Sequence, residues 1–418
     1  MFKHKKREII LMLFLLIVYV FVRSVNYTYH LNFSFDQAWI SSRVLEIWRN
    51  KELTLVGPGN SIVTGGKQIL QGSLIYYFLL VFLLLGNFDP IISSYLFMLF
   101  SAVMLFPLYF GVKLLYGKNV AVLIALLYTL IPLYIDFSRF FFGPGFQLAL
   151  IPLLILFSGL YRKTQKSLYL YLLFFLIGVI SQIHFASLIL LPIFYIYVYY
   201  GHRFKKQAGF KLWMTSFLAF VVGFSPILLF ELKNKFYNVI VFVEYLKNSR
   251  SFSNFKLLPH RYLSLSLIFI IFLAGKFNKI ITGRVILFSC FLLLFLDLVI
   301  YLPKPESAFG MADRWNFLME KKAYGIIKKL GLKDYNVANL IYDNLAVVIK
   351  YQLKKDGIKI NFDDYYNNKY LFVIDESEKH LAENPAYEIA AFRPRKKIRQ
   401  WNLNDTYNLY LFERLKPQ

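Results

Sequence analysis

The chain has 418 residues, 58% of them hydrophobic, 19% aromatic and only 17% charged. Soluble domains run at roughly 45–50% apolar, so the composition argues against a soluble enzyme and for an all-α polytopic membrane protein. The net charge of +24 sits in short basic segments between apolar runs, which is how membrane proteins encode orientation and speaks against nucleic acid as a partner. Cys290 is the only cysteine, which excludes internal disulfides and cysteine-based metal sites.

Basic residues at 3–7 precede an apolar run at 9–25. The N-terminus resembles a signal peptide but lacks a small-x-small cleavage site, so the run reads as a first span with a cytoplasmic N-terminus. The next apolar run, 73–86, is about 14 residues long, a length typical of re-entrant or interfacial segments. If it does not cross, further spans fall at 90–115, 120–135, 146–160, 168–183, 186–200, 212–230, 262–274 and 285–302. The short basic loops, such as Tyr161 to Lys166 and His202 to Lys206, then all lie on the cytoplasmic side. The expected architecture is nine spans with one dipping helix, or ten if 73–86 crosses. Residues 26–89 form the first external loop of a membrane domain covering 1–303. An external loop at 231–261 carries VIVFVEYL, read as a short interfacial helix.

Beyond 303 charged residues become common and no long apolar run appears. Residues 337–342, 370–375 and 407–415 read as strands and 345–355 as an amphipathic helix, with turn chemistry at Gly357 and 361–368. The expectation is a small extracytoplasmic α/β domain over 304–418. No internal repeat of the kind common in transporters is visible.

Several polar residues stand beside the spans. Ser34-Phe35-Asp36-Gln37 fits a capping box, and Ile40, Val44 and Trp48 recur at helical spacing, as in a helix lying on the membrane surface. Asp36 reads either as a carboxylate complementing the helix N-terminus or, desolvated by apolar neighbours, as a general base. Gly57-Pro58-Gly59 and Gly65-Gly66 read as turns. Lys67 is either a phosphate ligand or a solvated lysine. Arg139, at the outer end of a span, binds a phosphate or pairs with Asp136. His184 is either packed or lines a cavity with Asp36 and Arg139. Glu231 and Asp297 are carboxylates in or at the end of spans, where ionisable groups are costly. No Walker loop, dinucleotide fingerprint, HExxH or nucleophile elbow occurs, and no cofactor or metal is expected.

Taken in order, FDQAW, GSLIYYFLLVFLLLGNFDP, LLYGKNVAVLIALLYTLIPLYIDFSRF, SQIHFASLILLP and SPILLFELKN make the chain resemble the GT-C superfamily of integral-membrane glycosyltransferases. The likeness is to the bacterial branch that includes protein O-mannosyltransferases and the lipid A aminoarabinose transferase. It implies transfer of a hexosyl or pentosyl group from a polyprenyl-phosphate donor, on the extracytoplasmic face of the cell membrane, to a glycan, lipid or protein acceptor. Asp36 matches the proposed base of that superfamily and Arg139 a recurrent Ser-Arg after the third span. Relatives often carry Asp-Glu where this chain has Asp36-Gln37, a departure that argues against a two-carboxylate, metal-dependent site. Lys67, His184, Gln37 and Glu231 complete the expected substrate-binding set. The competing expectation is a carrier or flippase for lipid-linked sugars.

Overall fold

The computed structural model describes residues 2–201, 210–248, 262–360 and 364–415. The basic loop expected at His202 to Lys206, the end of the expected 231–261 loop and residues 361–363 of an expected turn lie outside them. The described chain is mostly helical with two small sheets. Among the described residues, three helices are long and apolar enough to cross a membrane: Pro90–Tyr116, Gly143–Thr164 and Gly283–Tyr301. Two bent pairs bring the number to five if each is one span. Lys118–Leu130 meets Pro132–Arg139 at 61°, and Lys211–Gly223 meets Ser225–Lys233 at 73°. At the first bend Ile131 is extended, as a residue before proline prefers to be.

The remaining expected spans take other forms. Leu74–Leu85, Ser167–Ile183, Phe185–Val198 and Leu263–Lys276 are apolar but shorter than a full crossing. Phe2–Ser24 is a continuous helix, but Arg7 and Glu8 precede its apolar run and Arg23 ends it. Segmentation by Pro, Gly and charge, rather than loss of apolar character, separates this pattern from nine uniform spans.

The chain forms two compact units. The first comprises Met1–Val25, Glu52–Leu85 and Ser93–Leu302; the second comprises Asn26–Lys51, Gly86–Ile92 and Pro303–Gln418. The units divide between Leu302 and Pro303, beside the expected boundary, but residues 26–51 and 86–92 of the expected external loop fall in the second unit.

In the first unit, helices 105–116 and 143–164 pack backbone to backbone. A Cβ on Gly159 would stand 2.8 Å from the Gly111 carbonyl oxygen, the close approach that small residues permit between membrane helices. Strands β1 (Val56–Thr64) and β2 (Lys67–Gly72) form an antiparallel hairpin. Gly65 and Gly66 make its turn, both with positive φ, as the two-residue turns that match strand twist require. Gly57-Pro58-Gly59, expected as a turn, instead lies inside β1 where the register shifts. Such bulges are where an edge strand accommodates proline.

The second unit is built on β3 (Tyr335–Asn339), β4 (Tyr370–Asp375), β5 (Arg395–Asn402) and β6 (Asn408–Arg414), in the order β3-β4-β6-β5. β3 and β4 are parallel, joined through the Val347–Lys355 helix; the other pairs are antiparallel. Strand alternation sorts the core. Phe372, Ile374, Leu409 and Leu411 face a cluster with Trp315, Ile327, Ile349 and Leu353. Leu371, Val373, Tyr410 and Phe412 face a second cluster with Leu381, Ile389 and Phe392.

The Phe35–Asn50 helix belongs to this unit and packs on the Val347–Lys355 helix. Of its expected stripe, Ile40 and Val44 are buried in protein while Trp48 is exposed, so the first part of the stripe covers protein rather than a bilayer surface. The Phe33 ring meets Phe317 edge-on and Tyr351 at a tilt, Glu46 pairs with Lys354, and the Tyr351 hydroxyl donates to the Phe88 carbonyl at 2.8 Å.

One core carboxyl makes this unit pH-sensitive. Glu320 is fully buried, and its Oε1 accepts from the Trp315 indole (3.0 Å), Asn339 (3.2 Å) and the Tyr342 hydroxyl (2.8 Å). Burial, and then the Asp343 charge, push its pKa from 4.5 up to about 8. The folded state thus prefers the protonated carboxyl. Its contribution to stability is complete below pH 4.5 and is lost as pH rises through about 8. Glu320→Gln keeps an acceptor oxygen without the charge. Thermal proteolysis should show wild-type stability of this unit falling between pH 5 and pH 9 while the variant changes little; parallel pH profiles would contradict the assignment.

Candidate functional site

Asp36 and Gln37 open the Phe35–Asn50 helix in the second unit. Ser34, in extended conformation, is its N-cap and Gln37 closes the capping box. Gln37 Oε1 accepts from the Ser34 backbone N–H at 3.2 Å and the Ser34 hydroxyl at 2.8 Å, while Nε2 donates to the Asn32 carbonyl at 3.2 Å. The buried Gln37 amide is thus engaged in holding the helix start. Asp36 lies in the first turn and is exposed, not desolvated by apolar neighbours as expected. The first-turn position still gives its carboxylate the favourable end of the helix dipole. The stacked rings of Phe35 and Trp39, 5.9 Å apart, flank it in sequence.

The other expected site residues belong to the first unit. Arg139 ends the Pro132–Arg139 helix and is 1% exposed. Its Nη2 donates to Asp136 Oδ1 at 2.7 Å, so the expected ion pair exists. Its guanidinium also stands 5.0 Å over the Tyr301 ring, within cation–π range. Among the described residues, its Nε and Nη1 have no hydrogen-bond partner. A buried guanidinium with open donors is costly and chemically suited to an oxyanion.

Arg23, which the sequence reading passed over as part of the first apolar run, gives the contrast. It is fully buried, but each of its nitrogens is engaged. Nε donates to the Ser138 hydroxyl at 2.6 Å, Nη1 to the carbonyls of Tyr19 and Thr129, and Nη2 to that of Tyr128. Its guanidinium lies 3.4 Å from the Tyr19 ring centroid. Arg23 therefore ties helices together, while Arg139 keeps two donors open. Asp297, buried at 2%, has neither carboxylate oxygen hydrogen-bonded among the described residues and lies within the field of Arg23 and Asp136.

Lys67 is exposed and follows the hairpin turn, paired in register with Thr64. His184 is half-buried and ends the Ser167–Ile183 helix; its Nδ1 accepts the Ala186 N–H at 3.3 Å, shaping the turn that follows. Gln147 Nε2 donates to the Ser187 hydroxyl at 2.6 Å, so the segment after Arg139 packs on the segment after His184. Glu231 is buried, and its Oε1 accepts the Asn238 N–H at 3.2 Å. The Asn238 side chain in turn pairs with both backbone groups of Leu70 in β2. Glu231 thus supports the hairpin through Asn238.

The hairpin also rests on Gln182, because a Cβ on Gly72 would stand 2.5 Å from the Gln182 Cβ. Gly72→Val should displace β2 at a cost of about 1–3 kcal/mol and accelerate tryptic cleavage at Lys67. A wild-type cleavage rate would contradict this packing.

An apolar cavity of about 630 Å³ in the first unit is bounded by Tyr116, Ser158, Phe194, Tyr197, Phe269 and Phe272. The 74–85 helix contributes nothing to its wall.

No protein-family model, curated protein or solved structure matches this chain. Each candidate residue is therefore described by its own surroundings: Asp36 is an exposed first-turn carboxylate of the second unit, and Arg139 is a buried guanidinium with open donors in the first. Among the described residues no three His, Cys, Asp or Glu side chains are grouped to hold a metal ion.

Proposed function

We propose that this chain is a multi-pass glycosyltransferase of a cell membrane. Its N-terminus is cytoplasmic and its C-terminal residues lie outside. It transfers a sugar from a polyprenyl-phosphate donor to an acceptor on the extracytoplasmic face. The observation that carries the reading is Arg139, whose Nε and Nη1 are buried without partners and suit the phosphate of a lipid carrier. The resemblance to the GT-C superfamily and the three to five spanning-length apolar helices support it further.

In this mechanism Asp36 takes the proton from the acceptor hydroxyl or amine as that oxygen or nitrogen bonds to the sugar C1. The C1–O bond to the phosphate breaks and its electron pair leaves with polyprenyl phosphate. Arg139, and Lys67 as a mobile point charge, stabilise the charge that develops there. His184 and Glu231 act through the turn and hairpin they hold, and Gln37 by fixing the helix that carries Asp36. Direct displacement inverts the anomeric carbon. The reading is tested by NMR of the product formed from a donor of known anomeric configuration. An inverted product supports it. A retained configuration, or intact donor moved across a proteoliposome membrane without cleavage, would overturn it.

A further inference from the structure

We infer that the second unit carries a separate binding site for a phosphate-bearing sugar, an assignment that stands whether or not the transfer reading holds. The site is a cleft of about 760 Å³, inside the roughly 300–1,000 Å³ range of small-molecule pockets. Four cations line it: Arg49, Lys333, Lys354 and Lys359. Asp334 also lies in the wall, and Lys354 is paired with Glu46. Four positive charges less these two leave a net charge of +2. A phosphate monoester at neutral pH carries about −1.5 to −2, which matches that excess; a lone carboxylate matches only half of it.

The wall is built in advance of a ligand. Arg49 donates through Nη1 to the Lys354 carbonyl and through Nη2 to the Lys355 carbonyl, both at 2.9 Å. These carbonyls close the Val347–Lys355 helix, where backbone acceptors lack intrahelical partners, so the guanidinium is held in place. Asp334 sits at φ +59°, a conformation rare for residues other than glycine. It is locked there because its carbonyl accepts the Lys369 and Tyr370 N–H groups, both at 3.1 Å. The buried Asn368 side chain reaches the Asp334 carboxylate at 3.5 Å. A fixed carboxylate among cations is of no use to a bare anion, which it repels, but it accepts hydrogen bonds from hydroxyls. Leu332, Ile358 and Ile360 add apolar wall for the C–H faces of a sugar ring. Anion, hydroxyls and apolar faces together describe a sugar phosphate.

The test is calorimetric titration of the full chain in nanodiscs with glucose 1-phosphate, inorganic phosphate and glucose. Glucose 1-phosphate should bind one to one, at least about tenfold more tightly than inorganic phosphate, with no measurable binding of glucose. The double variant Lys333→Glu/Lys359→Glu should weaken it by about tenfold or more. Asp334→Asn should weaken glucose 1-phosphate while leaving inorganic phosphate unchanged or tighter. Nanodiscs containing phosphatidylinositol 4-phosphate, whose inositol ring carries a phosphate monoester, separate two sources of the same chemistry. Competition assigns the natural ligand to a lipid headgroup, and its absence to a soluble phosphosugar; either supports the site. Equal affinity for inorganic phosphate and glucose 1-phosphate, indifference to the double variant, or no binding to the wild-type chain would overturn it.

Discussion

Asp36→Asn is expected to reduce sugar transfer by about 10²–10⁴-fold, the usual contribution of a positioned general base, while the protein accumulates in the membrane at its normal level. The structure explains why the two effects separate. The helix start is held by Ser34, Gln37 and the Asn32 carbonyl, none of which involves the Asp36 carboxylate. The helix-dipole part of removing one exposed first-turn charge is about 0.3–1 kcal/mol, small beside the stability of a folded domain. Activity is read by transfer from labelled donor in membranes, and abundance by immunoblot of the same membranes. Wild-type transfer by the variant would remove Asp36 as base. Loss of the protein itself would show that the carboxylate is structural.

Arg139→Gln carries the second large effect, and it has two parts. Stability should fall by about 3 kcal/mol, because Asp136 then stays largely buried without its cation. Transfer should fall by about 10²–10³-fold, the range seen when one preorganised donor to a developing anion is removed. The double variant Arg139→Gln/Asp136→Asn separates them. Its thermal stability in nanodiscs should recover most of the loss, because no unpaired charge remains, while transfer stays low. Recovery of transfer along with stability would reduce Arg139 to an ion-pair partner.

The parts of the fold that were legible in the sequence are those set by local chemistry. Strand β4 lies where alternation and flanking turn residues placed it, at Tyr370–Asp375. The Ser34–Gln37 capping box is formed as its spacing indicates, and the Asp136–Arg139 pair follows from helical spacing. What depends on partners far along the chain was not legible. The stripe of Ile40 and Val44 announces a buried face, but periodicity does not say what covers it, and here it is the Val347–Lys355 helix. Strand β5, Arg-Lys-Lys-Ile-Arg-Gln-Trp-Asn, carries no apolar alternation because it is an exposed edge, where charge prevents edge-to-edge pairing. Gly57-Pro58-Gly59 looks like a turn in sequence, yet β2 draws it into a bulged strand.

The site divides in the same way. Residue type alone singled out Arg139, but only its hydrogen bonds distinguish it from Arg23, whose partners are mostly backbone carbonyls with no signature in side-chain identity. Gln37, His184 and Glu231 were picked out by their position beside spans; their contacts give each a supporting role in a cap, a turn and a hairpin. The cationic cleft was not visible because Arg49 and Lys354 are some three hundred residues apart in sequence.

The central claim is cleavage of a lipid-linked sugar by this chain, and the most direct measurement is donor turnover by the purified full-length protein in nanodiscs. The donor is a polyprenyl-phosphate sugar labelled in both the sugar and the lipid phosphate. The account predicts that polyprenyl phosphate accumulates as sugar leaves the lipid fraction, and that both signals vanish together in Asp36→Asn. Donor that remains intact with the wild-type protein, or is cleaved equally by the variant, would contradict it.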